Sequence, residues 1–282
     1  MMNYRHAYHA GNFADVVKHV VLARVLTYMK QKPQPFRVID THAGAGRYDL
    51  GGLEAEKTGE WREGIGRLAG LAHPDDVSVL LQPYLDAVAS ANAPGALAVY
   101  PGSPVIARHL MRAGDILIAN ELHPLDFASL KHDFARDADT KVLNLDAWLA
   151  VKSLLPPKER RGVIQIDPPF EKADEFARMT EALADALKRF ATGVFVVWYP
   201  AKDAVAAASL VTDAGRACGG RTLDVRLRIA TPEPGLGLTE TGVLVVNPPY
   251  TLKSELERLL PYLAGMLEDG AGAGFHLTEG VA

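Results

Sequence analysis

Four short apolar runs in this chain end in, or run straight into, an acidic residue, and helical patterning returns after each one. They are residues 36–40 (FRVID), 115–120 (DILIAN, followed by Glu121), 141–145 (KVLNL, followed by Asp146) and 162–166 (GVIQI, followed by Asp167). Runs of this length flanked by helices read as buried strands of an open, mostly parallel α/β sheet. Such sheets bind ligands beyond the carboxyl ends of their strands, so the acids stand where chemistry is expected. One such acid reads as an ordinary loop residue; three strands in succession ending at Glu121, Asp146 and Asp167 do not.

The rest of the chain fits the same plan. A helix begins at Asn12 or Ala14, with Asn12 as its N-cap, Asp15 in its first turn and Val16, Val17, Val20, Val21 and Val25 on one side, and fades at residues 32–33. From 51 to 102 the text is rich in Gly and Ala, with helical pieces at 62–71 and 77–91 and one strand at 97–100. This reads as an inserted helical subdomain, leaving 1–50 and 103–282 as the main domain. Further helices are expected at 103–112, 125–136, 147–155, 174–190, 201–217 and 252–267. Further strands are expected at 193–198, 223–230 and 242–246.

Composition narrows the class. At about 150 residues per domain, 282 residues make one large domain or two small ones, with core enough to need no staple. The single cysteine, Cys218, excludes an intramolecular disulfide and finger-type zinc clusters. His6-x-x-His9 lacks a third ligand, so no metal is expected. No apolar stretch approaches the ~18 residues of a membrane span, and the polar, histidine-containing start is unlike a signal peptide; a cytoplasmic protein is expected. Net charge is −4, yet residues 1–37 hold Arg5, Lys18, Arg24, Lys30, Lys32 and Arg37 against Asp15 alone. A basic segment on an acidic body can steer a polyanion locally.

The turn after the first strand reads Asp40-Thr-His42-Ala-Gly44-Ala-Gly46. Its glycines let the backbone approach a ligand. The third glycine of a dinucleotide loop is missing, and the leading acid would repel a diphosphate. The pattern suits a nucleoside carrying positive or no charge, such as S-adenosylmethionine. Glu121 is placed to accept from ribose hydroxyls and Asp146 from an adenine amino group.

The sharpest signal is Asp167-Pro168-Pro169-Phe170. The exocyclic nitrogen of adenine is a poor nucleophile because its lone pair is delocalised into the ring. A carboxylate and a peptide oxygen that both accept from that amino group localise the pair as a methyl group arrives. Asp167 and the Pro168 carbonyl fit these roles, and the prolines stiffen the corner. Phe170 is expected to stack on an extruded base. Asn247-Pro248-Pro249-Tyr250 is a second copy of the pattern; it follows the last strand and is read as a turn lining the same cleft.

These residues together resemble the bacterial 23S ribosomal RNA adenine-N6 methyltransferases of the RlmJ family. The resemblance runs from residues 4–19 through 40–48, Tyr100-Pro-Gly-Ser103-Pro, Glu121-Leu-His-Pro124 and Ile166–Phe170 to Trp198-Tyr-Pro200 and Asn247-Pro-Pro249. It implies a Rossmann-like S-adenosylmethionine-dependent methyltransferase fold with a small helical insertion, acting as a monomer. It implies cofactor contacts at His19, His42, Ser103, Glu121, Asp146 and Asp167, joined by the loop glycines Gly44 and Gly46. Asp167 matches the catalytic carboxylate. Tyr4 and Lys18, with the adjacent Arg5, match the RNA-facing N-terminal segment. Three positions depart from the family: Phe170 replaces a more usual tyrosine, Ala147 a glycine and Phe13 a histidine. DNA adenine methylation, or cofactor binding without catalysis, are the competing expectations.

Overall fold

The protein is represented by a computed structural model that describes residues 5–233 and 235–280. The chain opens with α1 (Phe13–Met29), β1 (Arg37–Asp40), β2 (Arg47–Asp49), α2 (Leu53–Thr58), α3 (Asp75–Ser90) and β3 (Val99–Pro101). It continues through α4 (Ser103–Leu110), β4 (Ile116–Asn120), α5 (Pro124–Asp133), β5 (Thr140–Leu143), α6 (Ala147–Leu154), β6 (Gly162–Ile166) and α7 (Glu175–Arg189). It closes with β7 (Val194–Pro200), α8 (Ala204–Cys218), β8 (Thr222–Arg228), β9 (Glu240–Val246), α9 (Leu252–Met266) and β10 (Gly274–Glu279).

The main sheet has the order β10-β8-β9-β7-β6-β1-β4-β5. Strands β5, β4, β1, β6 and β7 run parallel, whereas β9, β8 and β10 join by antiparallel pairing. Alternate residues of each strand feed opposite layers. Val38, Leu117 and Val163 pack with α1, α3, α4 and α9, while Ile39, Ile118 and Ile164 pack with α6, α7 and α8. The result is a three-layer helix–sheet–helix body. After β1 the chain moves to β4 and β5 on one side, and after β6 to β7 on the other. The crevice between β1 and β6 is therefore the topological switch point, where a ligand site is expected.

Four sequence expectations change. The stretch 62–71 forms short 3-10 turns, because Gly64 and Gly66 interrupt any longer helix. Two short strands were not legible, β2 and β10. Helix α1 is not one-sided: every residue except Thr27 and Tyr28 is buried, Asp15, Lys18, His19 and Arg24 included. It is a central helix whose polar residues must find partners inside the protein. Finally, Asn247 does not line the cleft. Because β9 runs antiparallel to β7, its end lies beside the start of β7, at the opposite edge of the sheet. Among the described residues no helix is long and apolar enough to cross a membrane.

Candidate active site

Helix α1 brings its charges to the crevice in a fixed register. The Asn12 side chain accepts from the Asp15 N–H at 3.0 Å and sets the first turn. Asp15 and Lys18 then lie one turn apart on the same face. The Asp15 carboxylate lies 2.8 Å from Lys18 Nζ and 2.9 Å from His6 Nε2, and it accepts from the Gly11 N–H at 2.9 Å. Lys18 Nζ also donates to Asp167 Oδ2 at the end of β6. Burial alone would neutralise Lys18, but the Asp15 and Asp167 carboxylates raise its pKa above the usual lysine range. Burial likewise opposes charge on Asp15, yet His6 and Lys18 hold it well below the usual carboxylate range.

The other strand ends close around the same space. Asn120, wholly buried, donates to the Thr41 and Leu145 carbonyls and accepts from the Leu145 N–H, each at 3.0 Å, so one amide aligns the ends of β1, β4 and β5. Glu121 accepts from the Gly44 N–H at 2.8 Å and the His123 N–H at 2.7 Å, and burial raises its pKa. Gly44 has φ +63°, and a Cβ there would stand 2.0 Å from the Tyr48 hydroxyl, so the turn requires glycine. Asp146 caps α6 through the Trp148 and Leu149 N–H groups and lies 3.7 Å from Arg178.

These groups enclose a cavity of about 340 Å³, within the range of a nucleoside-sized ligand site. Lys18, His19, His42, Gly44, Ser103, Glu121, Asp146, Asp167 and Pro168 all line it. Burial, then the Lys18 charge, pushes the His19 pKa down to about 3; burial pushes that of His42 down to about 4, so both rings are neutral at pH 7. His19 Nδ1 is 2.7 Å from the Tyr100 hydroxyl, while its Nε2 is buried without a partner. Asp40, at the end of β1 just before the cavity-lining Thr41 and His42, has one buried oxygen without a partner, and burial raises its pKa to about 7. Buried polar atoms are normally satisfied. The His19 orphan on the cavity wall, with the Glu121 and Asp146 carboxylates at its rim, fits a ligand bearing hydroxyls, amines and a positive charge, as S-adenosylmethionine does.

Three expected site residues lie elsewhere, and a fourth is outside the described residues. Phe170 does not line the cavity. Its ring packs on Phe176 at 4.8 Å and Trp198 at 5.6 Å, and its φ of +51° is unusual for a bulky residue. Here it braces the corner rather than offering a face to a base. Arg5 pairs with Glu54 at 3.3 Å. Gly46 supports the loop from behind: its carbonyl accepts from the Gly102 N–H at 2.8 Å, and a Cβ would press on Leu130. Tyr4 is the residue outside the described region. Sequence reasoning also missed His6, Trp148 and Arg178 in the lining, and Asp15 as the anchor of Lys18. Only Asp15 carried a signal, its i,i+3 spacing to Lys18.

The strand order, the glycine turn and the carboxylates at successive strand ends define a Rossmann-like methyltransferase. Comparison with known proteins narrows this class. The model of the family described as "Ribosomal RNA large subunit methyltransferase D, RlmJ" matches residues 33–277, and the chain belongs to that family. It is 40% identical over 278 residues to "Ribosomal RNA large subunit methyltransferase J" of Escherichia coli (strain K12), covering 99% of this chain and 98% of the relative. The Haemophilus influenzae protein of the same name is 38% identical over 276 residues, covering 97% of each. A crystal structure from Legionella pneumophila superposes with a TM-score of 0.87 at 32% identity, covering 96% of this chain and 98% of that one.

Proposed function

We propose that this chain is a ribosomal RNA methyltransferase that moves a methyl group from S-adenosylmethionine to N6 of one adenosine in 23S rRNA. The observation that carries the reading is Asp167-Pro168, held at the switch point by Lys18 and facing a cavity rimmed by Glu121 and Asp146. Bound there, S-adenosylmethionine supplies an electrophilic methyl group on a positively charged sulfur. Glu121 holds the ribose hydroxyls and Asp146 the adenine edge, while neutral His19 and His42 add no positive charge to repel the sulfonium. Lys18 engages Oδ2 of Asp167, leaving Oδ1 to accept from the target amino group beside the Pro168 carbonyl. The nitrogen lone pair, localised toward the methyl, would form the N–C bond as the C–S bond breaks and the sulfonium leaves as a neutral thioether, and the amino proton would leave through Asp167. Positioning supplies most of the rate.

Lys18 serves the reaction through Asp167 and Arg5 is held by Glu54, which leaves Tyr4 as the RNA-facing residue at the start of the chain; residues 51–102 form an inserted subdomain within a cytoplasmic monomer. The test is methyl transfer from labelled S-adenosylmethionine to 23S rRNA, with duplex DNA as competitor. The expected result is methyl-N6-adenosine in the RNA, abolished by Asp167→Ala with cofactor binding retained. DNA methylated at least as well as rRNA would overturn the substrate.

A further inference from the structure

Of the six cations in residues 1–37, four are spoken for. Lys18 holds Asp15 and Asp167, Arg24 pairs with Glu255, Arg5 with Glu54 and Arg37 with Glu159. Lys30 and Lys32 remain, at the far end of α1 from the cavity. Two arginines from distant segments converge on the loop that carries them. Arg112 donates to the Lys30, Lys32 and Gln34 carbonyls, and Arg161 donates to the Met29 and Gln34 carbonyls. Both guanidiniums thus meet at one carbonyl oxygen. The nearby carboxylate, Asp115, is buried, and both its oxygens are occupied by Arg112 and backbone N–H groups.

Like charges held this close disfavour one another. After burial, the Arg112 charge is the main reason that the pKa values of Lys30 and Arg161 are lowered. An added anion relieves that repulsion. The patch also has an aromatic neighbour. Tyr28, close enough to Arg161 to influence its charge, meets Tyr250 edge-on with ring centroids 5.6 Å apart, and Tyr250 is 82% exposed. A polyanion with flat bases matches cations beside an exposed ring. An acidic protein would use the charges and leave the ring without a purpose.

We infer that Lys30, Lys32 and Arg161, with Tyr250, form a second RNA-docking surface at the edge of the sheet opposite the active site, on a loop that the Asp115-paired Arg112 fastens in place. It rests on the proposed RNA substrate and extends it: the enzyme grips rRNA at two places. Lys18 and Lys30 are twelve positions apart on one helix, about 18 Å at 1.5 Å per residue. That is roughly five phosphates of one strand at ~3.4 Å each, well within a folded RNA.

The test uses the full chain and in vitro transcribed 23S rRNA, comparing wild type with Lys30→Gln/Lys32→Gln and with Tyr250→Ala. Binding is measured across a salt series, with cofactor affinity and thermal midpoint as controls on folding. Removing two phosphate contacts should make the slope of log K against log salt shallower by about 1.4–1.8. Tyr250→Ala should weaken binding about tenfold with the slope unchanged. Wild-type slope and affinity in both variants, with folding intact, would overturn the surface. So would an unshifted RNA slope together with lost binding to polyglutamate, which assigns the patch to an acidic protein. The two readings fail separately. A shifted slope in a protein that never methylates RNA removes the reaction and keeps the surface; coincident slopes in an active enzyme do the reverse.

Discussion

Residues 167–170 and 247–250 are both a polar residue, two prolines and an aromatic ring, each directly after a buried strand, yet they do opposite things. Strand β6 is parallel to its neighbours, so its end opens into the crevice and Asp167 meets Lys18. Strand β9 is antiparallel, so Asn247 arrives at the far edge, where its amide donates to the Ala191 carbonyl at 3.0 Å and the Gly193 carbonyl at 2.7 Å. The backbones differ too. The left-handed residue is the last of the first corner, Phe170 at φ +51°, and the first of the second, Asn247 at φ +53°. Asparagine tolerates that conformation at little cost, whereas phenylalanine relies on ring packing to hold it. A tetrapeptide does not define a site; the direction of the strand before it decides what it faces.

The largest test of this contrast is a matched pair of exchanges. Asp167→Asn should lower kcat by about a thousandfold or more, as expected when a group aimed at the reacting atom loses its charge. Asn247→Asp should leave kcat within about twofold of wild type. Comparable losses in steady-state assays would break the contrast. Next, Lys18→Met should cost about a hundredfold in turnover and also destabilise the fold, since Asp15 then keeps a buried charge with less to balance it. Turnover close to wild type would mean that the ion pair does not position Asp167.

The third test is a pH effect confined to the catalytic edge. Asp40 has its pKa raised by burial to about 7, so the folded state holds a proton that the unfolded state releases near pH 4. Stability should therefore fall as pH rises from about 4 to about 7, by about 2–4 kcal/mol at the upper limit. Asp40→Asn should flatten that fall in thermal melts across the range; parallel curves would show that Asp40 is ionised in the fold. The smallest effect is at the far corner. Asn247→Ala removes two hydrogen bonds and places alanine at positive φ, costing about 1–3 kcal/mol in denaturant unfolding. An unchanged midpoint would mean that the amide clamp is unimportant.

Strands β1, β4 and β6 were legible because each is a short, almost wholly buried apolar run that ends in or leads straight into an acid. That is the mark of a strand buried on both faces and opening at a ligand edge. The antiparallel half was harder. Nothing in residues 242–246 announces direction, which is set by pairing with β7 and β8, so the fate of Asn247 could not be read. Strand β2 is only three residues long, and β10 is an edge strand exposed along much of its length, so neither shows a clear apolar pattern. The candidate site was legible where a residue follows a strand, as at Glu121, Asp146 and Asp167. It was not where a side chain travels far to its partner, as with Lys18 reaching Asp167, or turns aside into packing, as with Phe170.

The His19 ring is fastened through Nδ1 to Tyr100, and the Tyr100 hydroxyl lies 3.1 Å from that of Tyr84, deep in α3. Two phenols thus wire the stretch before α4 to the wall of the pocket. A chimera that exchanged residues 51–102 between relatives would have to carry both rings with it, or the imidazole would lose its tether. Whatever diversity that stretch acquires over evolution must be written on its outer side.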